Sequence, residues 1–445
     1  MRAAELGGKR VAIWGLGREG RAAIELLRRE DPAMPLLLLD DKANARAPGD
    51  AGDNFTCAFG ADPIAAALDR IDLIVKSPGV SLYRPEIAQA RAKGVKVTSL
   101  LNLWFAEPHD ITTVCVTGTK GKSTTAALIA HILRGLGRRV ALAGNIGVAV
   151  TAIDGAAADY AVIEMSSYQT ADFDGICDIA VLTSLYPEHA DWHGTLENYY
   201  RDKIHLLTRA HCAIFGADTA AAAKGLAVQF PVGDSCTVRA CDGDIFDGGR
   251  HIGRVRNPYL ARPHNRSNLC LAVAVAKRLG ADAADALAAA EDFRGLPHRQ
   301  QELGTKDGLL FVDDSISTIP ESTIAALAVY AGRPVTVILG GYDRGLDYGK
   351  LITALSRGAP INAVCLGVSG ERLFAEMRAG GFAGSLHRAQ SMEEAVAIAT
   401  AATPQGGVVL LSPAAPSYGW YRDFAERGLD FAAKAGFPAP AERGR

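Results

Sequence analysis

The run Thr113-Val114-Cys115-Val116 leads into Gly118-Thr119-Lys120-Gly121-Lys122-Ser123-Thr124, and a helical pattern follows from Thr125 to Arg134. A buried strand, a glycine-bearing turn and a helix start in that order constrain the chain strongly. They call for a parallel αβ layer with this loop at the carboxyl edge of its sheet. Glycines let backbone amides turn toward a phosphate, and the helix N-terminus adds partial positive charge. Lys122 can reach terminal phosphates, and Ser123 or Thr124 can ligate magnesium. The common phosphate loop has its first glycine five positions before the second; that position here is Val116, so this loop is a shortened form. The bland alternative is a glycine turn with a solvated lysine, which the strand–loop–helix order argues against.

At 445 residues the chain is long enough for two to four domains. Short apolar runs alternate with helical patterns from the start: a strand at Val11-Ala12-Ile13-Trp14, a helix from Arg21 to Arg29, and strands at Leu36-Leu37-Leu38-Leu39 and Leu73-Ile74-Val75. Residues 105–110 read as a linker, and Asp242 to Asn257 as hairpins. A last αβ cycle begins near Leu309-Leu310-Phe311-Val312 and runs through Val335 to Leu339, Ala363 to Leu366 and Val408 to Leu411. The expected fold is α/β in three domains: a Rossmann-like domain over 1–108, a phosphate-loop ATPase-like, mostly parallel domain over 109–301, and a second Rossmann-like domain over 302–445.

Gly15-Leu16-Gly17-Arg18-Glu19-Gly20 also follows a strand and opens a helix, with Asp40 twenty residues beyond Gly20. This is the dinucleotide pattern, in which Asp40 would meet a ribose hydroxyl. It favours a pyrophosphate-bearing ligand over a bare turn, but glycines do not separate NAD from a nucleotide-sugar. Glu164 ends the apolar run before Met165-Ser166-Ser167, and Thr183 to Asp191 forms another polar cluster containing His189. In a parallel sheet both clusters face the phosphate-loop edge, where hard oxygens and one imidazole suit magnesium on ATP. Lys203 sits in the helix that follows. Each of these residues alone would read as a cap or a surface group.

With these residues in view the chain resembles the Mur ligases, the family that builds the peptide stem of peptidoglycan. Its shortened phosphate loop, Ala143-Gly144-Asn145-Ile146-Gly147, Glu164-Met165-Ser166-Ser167-Tyr168-Gln169 and Glu188-His189-x-Asp191 are similar to that family's segments. So are Pro263-His264-Asn265-x-x-Asn268, Leu296-Pro297-His298-Arg299, Asp314-Ser315, Leu411-Ser412-Pro413-Ala414 and Phe424-x-x-Arg427-Gly428-x-x-Phe431. The N-terminal glycines and the close at Arg427 to Phe431 resemble its MurD-like, glutamate-adding branch. The resemblance implies ATP and Mg2+ as cofactors, with UDP-N-acetylmuramoyl-L-alanine and glutamate as substrates. It implies that Gly118, Thr119, Lys120, Gly121, Lys122, Ser123, Thr124, Asn265, Asn268, Arg299 and Asp314 serve ATP. Gly15, Leu16, Gly17, Arg18, Glu19, Gly20, Asp40, Ser77, Pro78, Gly79 and Asn145 would hold the uridine diphosphate substrate. Thr124, Glu164, His189 and a carbamylated Lys203 would hold magnesium, with Lys122, Glu164, His189 and Lys203 the catalytic set. Thr318, Arg344, Ser417 and Phe424 would hold glutamate.

The departures from the branch's pattern cluster in one region. Asp313 and Ile316 stand where a neutral amide and a lysine are usual, and Pro416-Ser417-Tyr418-Gly419-Trp420 is also unusual. The expectation is the subgroup that adds L-glutamate, with the D-glutamate enzymes as the alternative and neutral drift as the bland reading. A non-catalytic precursor sensor on the same scaffold would favour loss of Lys122, Glu164 or His189, and none is lost. A dehydrogenase would need a hydride-transfer site, and none stands out.

Lys+Arg total 47 and Asp+Glu 49, giving a net charge of −2, which offers no reason to expect nucleic acid as a partner. No apolar run approaches the ~20 residues of a membrane span, and the first residues lack a signal-peptide core. Cys57, Cys115, Cys177, Cys212, Cys236, Cys241, Cys270 and Cys365 are scattered without a Cys-x-x-Cys pair. They read as reduced thiols, and the expectation is a cytoplasmic monomer without a membrane partner.

Overall fold

The computed structural model describes residues 1–49, 51–186, 190–216, 219, 237–356 and 361–438. It divides into two compact units, Met1–Phe293 and Arg294–Arg445.

The first unit holds two five-stranded sheets. One comprises β1 (Val11–Trp14), β2 (Leu36–Asp40), β3 (Phe55–Phe59), β4 (Leu73–Lys76) and β5 (Lys96–Thr98) in the order β3-β2-β1-β4-β5. The other comprises β6 (Thr112–Thr117), β7 (Val140–Gly144), β8 (Tyr160–Glu164), β9 (Cys177–Leu182) and β10 (Ala210–Phe215) in the order β10-β9-β6-β8-β7. Every pairing in both sheets is parallel. Strands covered on both faces must be apolar throughout, which is why Val11-Ala12-Ile13-Trp14 and Leu36 to Leu39 read as unbroken runs. The strand order reverses beside β1 and beside β6. Crevices therefore open at the carboxyl ends of those strands, where both glycine loops lie.

One buried apolar cluster passes from Ile24, Leu27 and Leu73 through Leu100 and Leu103 to Ile163, Phe173 and Leu182. The two sheets therefore share a core. The segment expected as a linker, 105–110, is partly helical: Phe105 and Ala106 end the helix Leu100–Ala106, whose cap is the Ser99 hydroxyl accepting from the Asn102 amide. The first glycine loop opens a helix at Arg18, earlier than the expected Arg21, because Gly17 serves as its N-cap. Glu19 in its first turn and Arg28 and Arg29 in its last complement the helix dipole. The expected hairpins near 242–257 are an antiparallel meander of β11 (Val238–Cys241), β12 (Asp244–Asp247) and β13 (Arg250–Arg254).

The second unit has a six-stranded sheet of β14 (Gln301–Lys306), β15 (Leu309–Asp313), β16 (Val335–Leu339), β17 (Ile361–Leu366), β18 (Leu386–Ala389) and β19 (Val408–Leu411). Its order is β14-β15-β19-β16-β17-β18, parallel except for the edge strand β14. The unit begins at Arg294, where the sequence reading placed its start at 302; β14 and the Leu296 to Arg299 turn belong with this sheet.

Candidate active site

The phosphate loop forms as its residue types require. Gly118 and Gly121 have φ of 150° and 86°, in the region that disfavours side chains. A Cβ on Gly118 would lie 1.9 Å from Thr183 Oγ1, so no larger residue fits. Thr183 Oγ1 donates to the carbonyls of Thr117 and Lys120, and Ser184 Oγ accepts from the Lys120 amide at 2.8 Å. Thr119 Oγ1 accepts from the Tyr186 amide and lies 2.7 Å from the Tyr199 hydroxyl. The loop is thus clamped from β9 and from the helix Leu196–Thr208. Lys122 opens the helix Lys122–Gly135, and its Nζ reaches back to the carbonyls of Gly118 and Thr119, each at 3.0 Å. Ser123 and Thr124 are buried in that first turn.

Two expected residues stand against this loop, and two more lie beside it. Lys203, almost wholly buried, donates from Nζ to the Gly118 carbonyl at 2.8 Å. Asn268 stands against Gly121, where a Cβ would meet its Oδ1 at 2.6 Å. Asn265 is buried, donating to the Tyr259 carbonyl and accepting from Asn268. Glu164 ends β8, beside β6, and is 1 % exposed. Its Oε1 accepts from Asn145 Nδ2 at 3.3 Å, whereas Oε2 is buried with no hydrogen-bond partner. A carboxyl oxygen buried without a partner calls for a cation or ordered water. His189 lies outside the described residues.

At the first glycine loop, Gly20 packs so closely that a Cβ would sit 1.9 Å from the Gly15 carbonyl oxygen, and Ser77 Oγ donates to that same carbonyl. Asp40 accepts from the amides of Leu16 and Lys42, one on each carboxylate oxygen. In this structure it braces the loop. Arg18 donates to the Gly144 carbonyl at 2.6 Å, and Gln169 donates to Glu19 at 2.6 Å. These bonds tie Gly15–Gly20 to the segments carrying Asn145 and Glu164. Pro78 is held too, its carbonyl accepting from Trp192 Nε1, and Gly79 follows it.

Burial pushes the Glu19 carboxyl up to about 7 from its ordinary 4.5, with Arg18 and Lys76 opposing. A carboxyl raised on folding binds its proton more tightly in the native state. Its stabilising protonation is complete below pH 4.5 and is lost as pH rises through 7. Stability should therefore fall by about 3 kcal/mol across that window and then level off. Glu19→Gln is expected to remove the decline. The check is the urea midpoint of both proteins at pH 5 and 7.5; parallel declines would refute it.

The second unit gathers its own set at the carboxyl ends of β15, β19 and β16. Asp314 is buried, accepting from the Gln300 amide and the hydroxyls of Ser317 and Ser412. Burial raises its carboxyl to about 6, against those bonds and the charge of Arg299. Thr318 is half-buried one turn on. The loop after β16 is joined to the loop after β19 where the Tyr342 amide donates to the Pro416 carbonyl. There Arg344 is exposed, 5.7 Å above the Tyr418 ring, beside buried Ser417. The Phe424 carbonyl accepts from Ser315 Oγ, and its ring centroid lies 6.2 Å from His298.

The unusual Asp313 finds its partners within the second unit. It is 1 % exposed, its Oδ2 lies 2.7 Å from His298 Nδ1, and its Oδ1 accepts from the Ser315 amide. A carboxylate ending a buried strand needs such partners, and this one finds them inside the unit. Arg427 was read only as part of a motif. It is buried and donates to Ser315 Oγ and to the carbonyls of Ser315 and Ala415, holding both candidate glutamate segments.

These features define a nucleotide-binding protein of the phosphate-loop class, with a carboxylate and a lysine at the loop's edge. The particular family follows from comparison with known proteins. Residues 9–99 match the MurD-like N-terminal domain, 116–232 the Mur ligase middle domain, and 298–415 the Mur ligase glutamate ligase domain. A relative in Xanthomonas euvesicatoria pv. vesicatoria, named UDP-N-acetylmuramoyl-L-alanine--L-glutamate ligase, is 42% identical over 99% of this chain and 98% of its own length. A protein of the same name in Micromonospora sp. is 42% identical over 99% of this chain and 100% of its own. Among solved structures, UDP-N-acetylmuramate-alanine ligase from Thermotoga maritima superposes with a TM-score of 0.55 at 18% identity, covering 96% of this chain and 99% of that one. MurF from Acinetobacter baumannii gives 0.54 at 18% identity, covering 98% and 92%. The chain belongs to the Mur ligase family, and its α/β fold is the family's three-domain fold.

Proposed function

We propose that this protein is an ATP-dependent ligase that joins glutamate, in its L form, to UDP-N-acetylmuramoyl-L-alanine during peptidoglycan precursor synthesis. The single observation that carries the reading is the convergence of Lys122, Glu164 and Lys203 on one phosphate loop. Residues 1–108 take the uridine diphosphate end through Gly15–Gly20, Asp40 and Ser77–Gly79, joined by Asn145 of the next domain. Residues 109–301 take ATP through Gly118–Thr124, Asn265 and Asn268. Residues 302–445, with Arg299 just ahead of them, contribute Asp314 to ATP and Thr318, Arg344, Ser417 and Phe424 to glutamate.

A carboxylate is a poor acyl donor at neutral pH. Transfer of the terminal phosphoryl group of ATP makes it an acyl-phosphate, which the amine of glutamate attacks to give an amide and release phosphate. No side-chain nucleophile is needed. Lys122 offsets the charge on the transferring phosphoryl oxygens, and the amides of the loop cradle them. The residues fit magnesium: Glu164 Oε2 is an unpartnered hard oxygen, and the Thr124 hydroxyl lies in the helix's first turn. Magnesium keeps waters and substrate phosphates as ligands, and His189 and a carbamylated Lys203 would complete the set. When bound, the ion neutralises charge between phosphates.

Ile316, Tyr418, Gly419 and Trp420 support the L-glutamate assignment, together with the names of the relatives at 42% identity. Enantiomers share every group, so discrimination rests on which polar partner is left unpaired, about 1–3 kcal/mol. We place the reaction in the cytoplasm and the protein as a monomer; no described helix is long and apolar enough to cross a membrane. The test is ADP formation with UDP-N-acetylmuramoyl-L-alanine plus L-glutamate, D-glutamate or neither. L-Glutamate is expected to give a kcat/KM about tenfold to a hundredfold higher. A preference for D-glutamate would return the protein to D-glutamate addition, and turnover without glutamate would refute ligation.

A further inference from the structure

A polar chain in the first unit, buried at its centre, has no part in the assignments above. His193 is wholly buried, with Nδ1 2.6 Å from Asp202 Oδ2 and Nε2 3.0 Å from Ser167 Oγ. The Tyr83 hydroxyl reaches both Asp202 oxygens, at 2.9 and 2.8 Å. A carboxylate only accepts, so Nδ1 donates to Asp202, and Nε2 is left facing the Ser167 hydroxyl. The order serine, histidine, carboxylate is that of a hydrolytic triad. Here it cannot act as one, because Ser167 is 3% and His193 0% exposed, and no acyl group can reach Oγ.

What the chain does possess is location. Tyr83 lies on the loop after β4 that carries Ser77-Pro78-Gly79. Asp202 precedes Lys203 on its helix, and Ser167 follows the Glu164 strand end. Trp192, next to His193, adds two bonds to the same loop: its Nε1 donates to the Pro78 carbonyl at 3.1 Å, and its own carbonyl accepts from Ser81 Oγ at 2.6 Å. Its ring stacks on Tyr168 at 4.6 Å. A hydrogen-bonded network that is buried at His193 and Asp202 and reaches the surface at Tyr83 holds its members in one arrangement.

Building on the ligase reading, we propose that Tyr83, Asp202 and His193 are positioning residues. They hold the loop 77–83 in register with the Glu164 and Lys203 edge, so that the carboxylate of a UDP-linked sugar-peptide arrives at the phosphate loop. None of them touches the reacting atoms. None of Tyr83, Asp202 and His193 is assigned to ATP, and Tyr83 lies on the substrate loop itself, so loss of its hydroxyl should act on the UDP substrate before ATP.

The experiment uses the full chain with Tyr83→Phe, Asp202→Asn, His193→Ala and His193→Asn. It reads kcat, the KM values for UDP-N-acetylmuramoyl-L-alanine and ATP, thermal midpoints, and calorimetric binding of UDP-N-acetylmuramoyl-L-alanine without ATP. Tyr83→Phe removes one hydroxyl from a partly exposed ring, so folding is not at risk. It is expected to raise KM and Kd for the UDP substrate about fivefold to twentyfold and to leave the KM for ATP within about twofold. Asp202→Asn should do the same and also lower kcat. His193→Asn can keep the bond to Asp202 and should recover part of what His193→Ala loses. Equal rises in both KM values, or no change in the UDP-substrate KM and Kd for Tyr83→Phe, would overturn the proposal. Wild-type protein that binds the UDP substrate without forming amide would defeat the ligase reading alone. The Kd comparison would then decide this one: weaker binding by Tyr83→Phe upholds it, and equal binding overturns it.

Discussion

Lys122→Ala is expected to lower kcat by about a hundredfold or more while leaving the protein folded. Lys122 lies at the start of the helix Lys122–Gly135, with its Nζ 3.0 Å from two loop carbonyls. That places a cation where the terminal phosphates of a nucleotide would meet the loop amides. Removing one group that stabilises developing charge in a preorganised site typically costs about 2.7–4 kcal/mol of the barrier, a hundredfold or more. The fold should not suffer. The side chain is only partly buried, the helix is anchored by Ala126, Leu128, Ile129 and Ile132, and alanine is the better helix former. The measurement is kcat for ADP formation alongside the thermal midpoint. Near-normal turnover would show that the loop is only a structural turn.

Lys203→Ala is expected to lose most activity, and short carboxylic acids such as acetate should partly restore it. Lys203 is 2% exposed, with Nζ 2.8 Å from the Gly118 carbonyl and 5.1 Å from the Tyr199 ring. A solvated lysine has no reason to be held there, and a buried one needs a polar partner. Carbamylation would turn its end into a carboxylate at the same edge as Glu164. The alanine variant leaves a space beside the loop that a small soluble carboxylate can enter. Turnover should therefore rise with acetate concentration in the variant and not in the wild-type protein. Full activity of the variant without added acid would defeat this role.

The parts of the fold that were legible share a physical cause. Strands covered on both faces announce themselves as continuous apolar runs, so β1, β2, β6, β16 and β19 could be read directly. Edge strands could not: Phe55–Phe59 and Leu386–Ala389 are half-exposed and mix polar with apolar residues. The glycine loops were legible because only glycine tolerates a φ of 150° or a backbone oxygen 1.9 Å from its Cβ position. Side-chain direction was not. Asp313 and Ile316 stand close together in an unusual stretch, but Asp313 ends β15 and turns inside against His298, whereas Ile316 lies in the turn beyond the strand and is half-buried. Nor could the sequence show that Tyr83 and Asp202, 119 residues apart, share a bond. The ordinary spacing of Trp192-His193-Gly194 gave no sign of a wholly buried imidazole.

The central claim is that this chain activates a carboxylate by phosphorylating it, and isotope transfer tests that most directly. UDP-N-acetylmuramoyl-L-alanine labelled with 18O in both carboxylate oxygens is incubated with ATP, magnesium and L-glutamate. The account predicts that each amide formed keeps one labelled oxygen and that the other leaves on phosphate, one label per phosphate released. Phosphate free of label, with amide formed or with ATP simply hydrolysed, would contradict it.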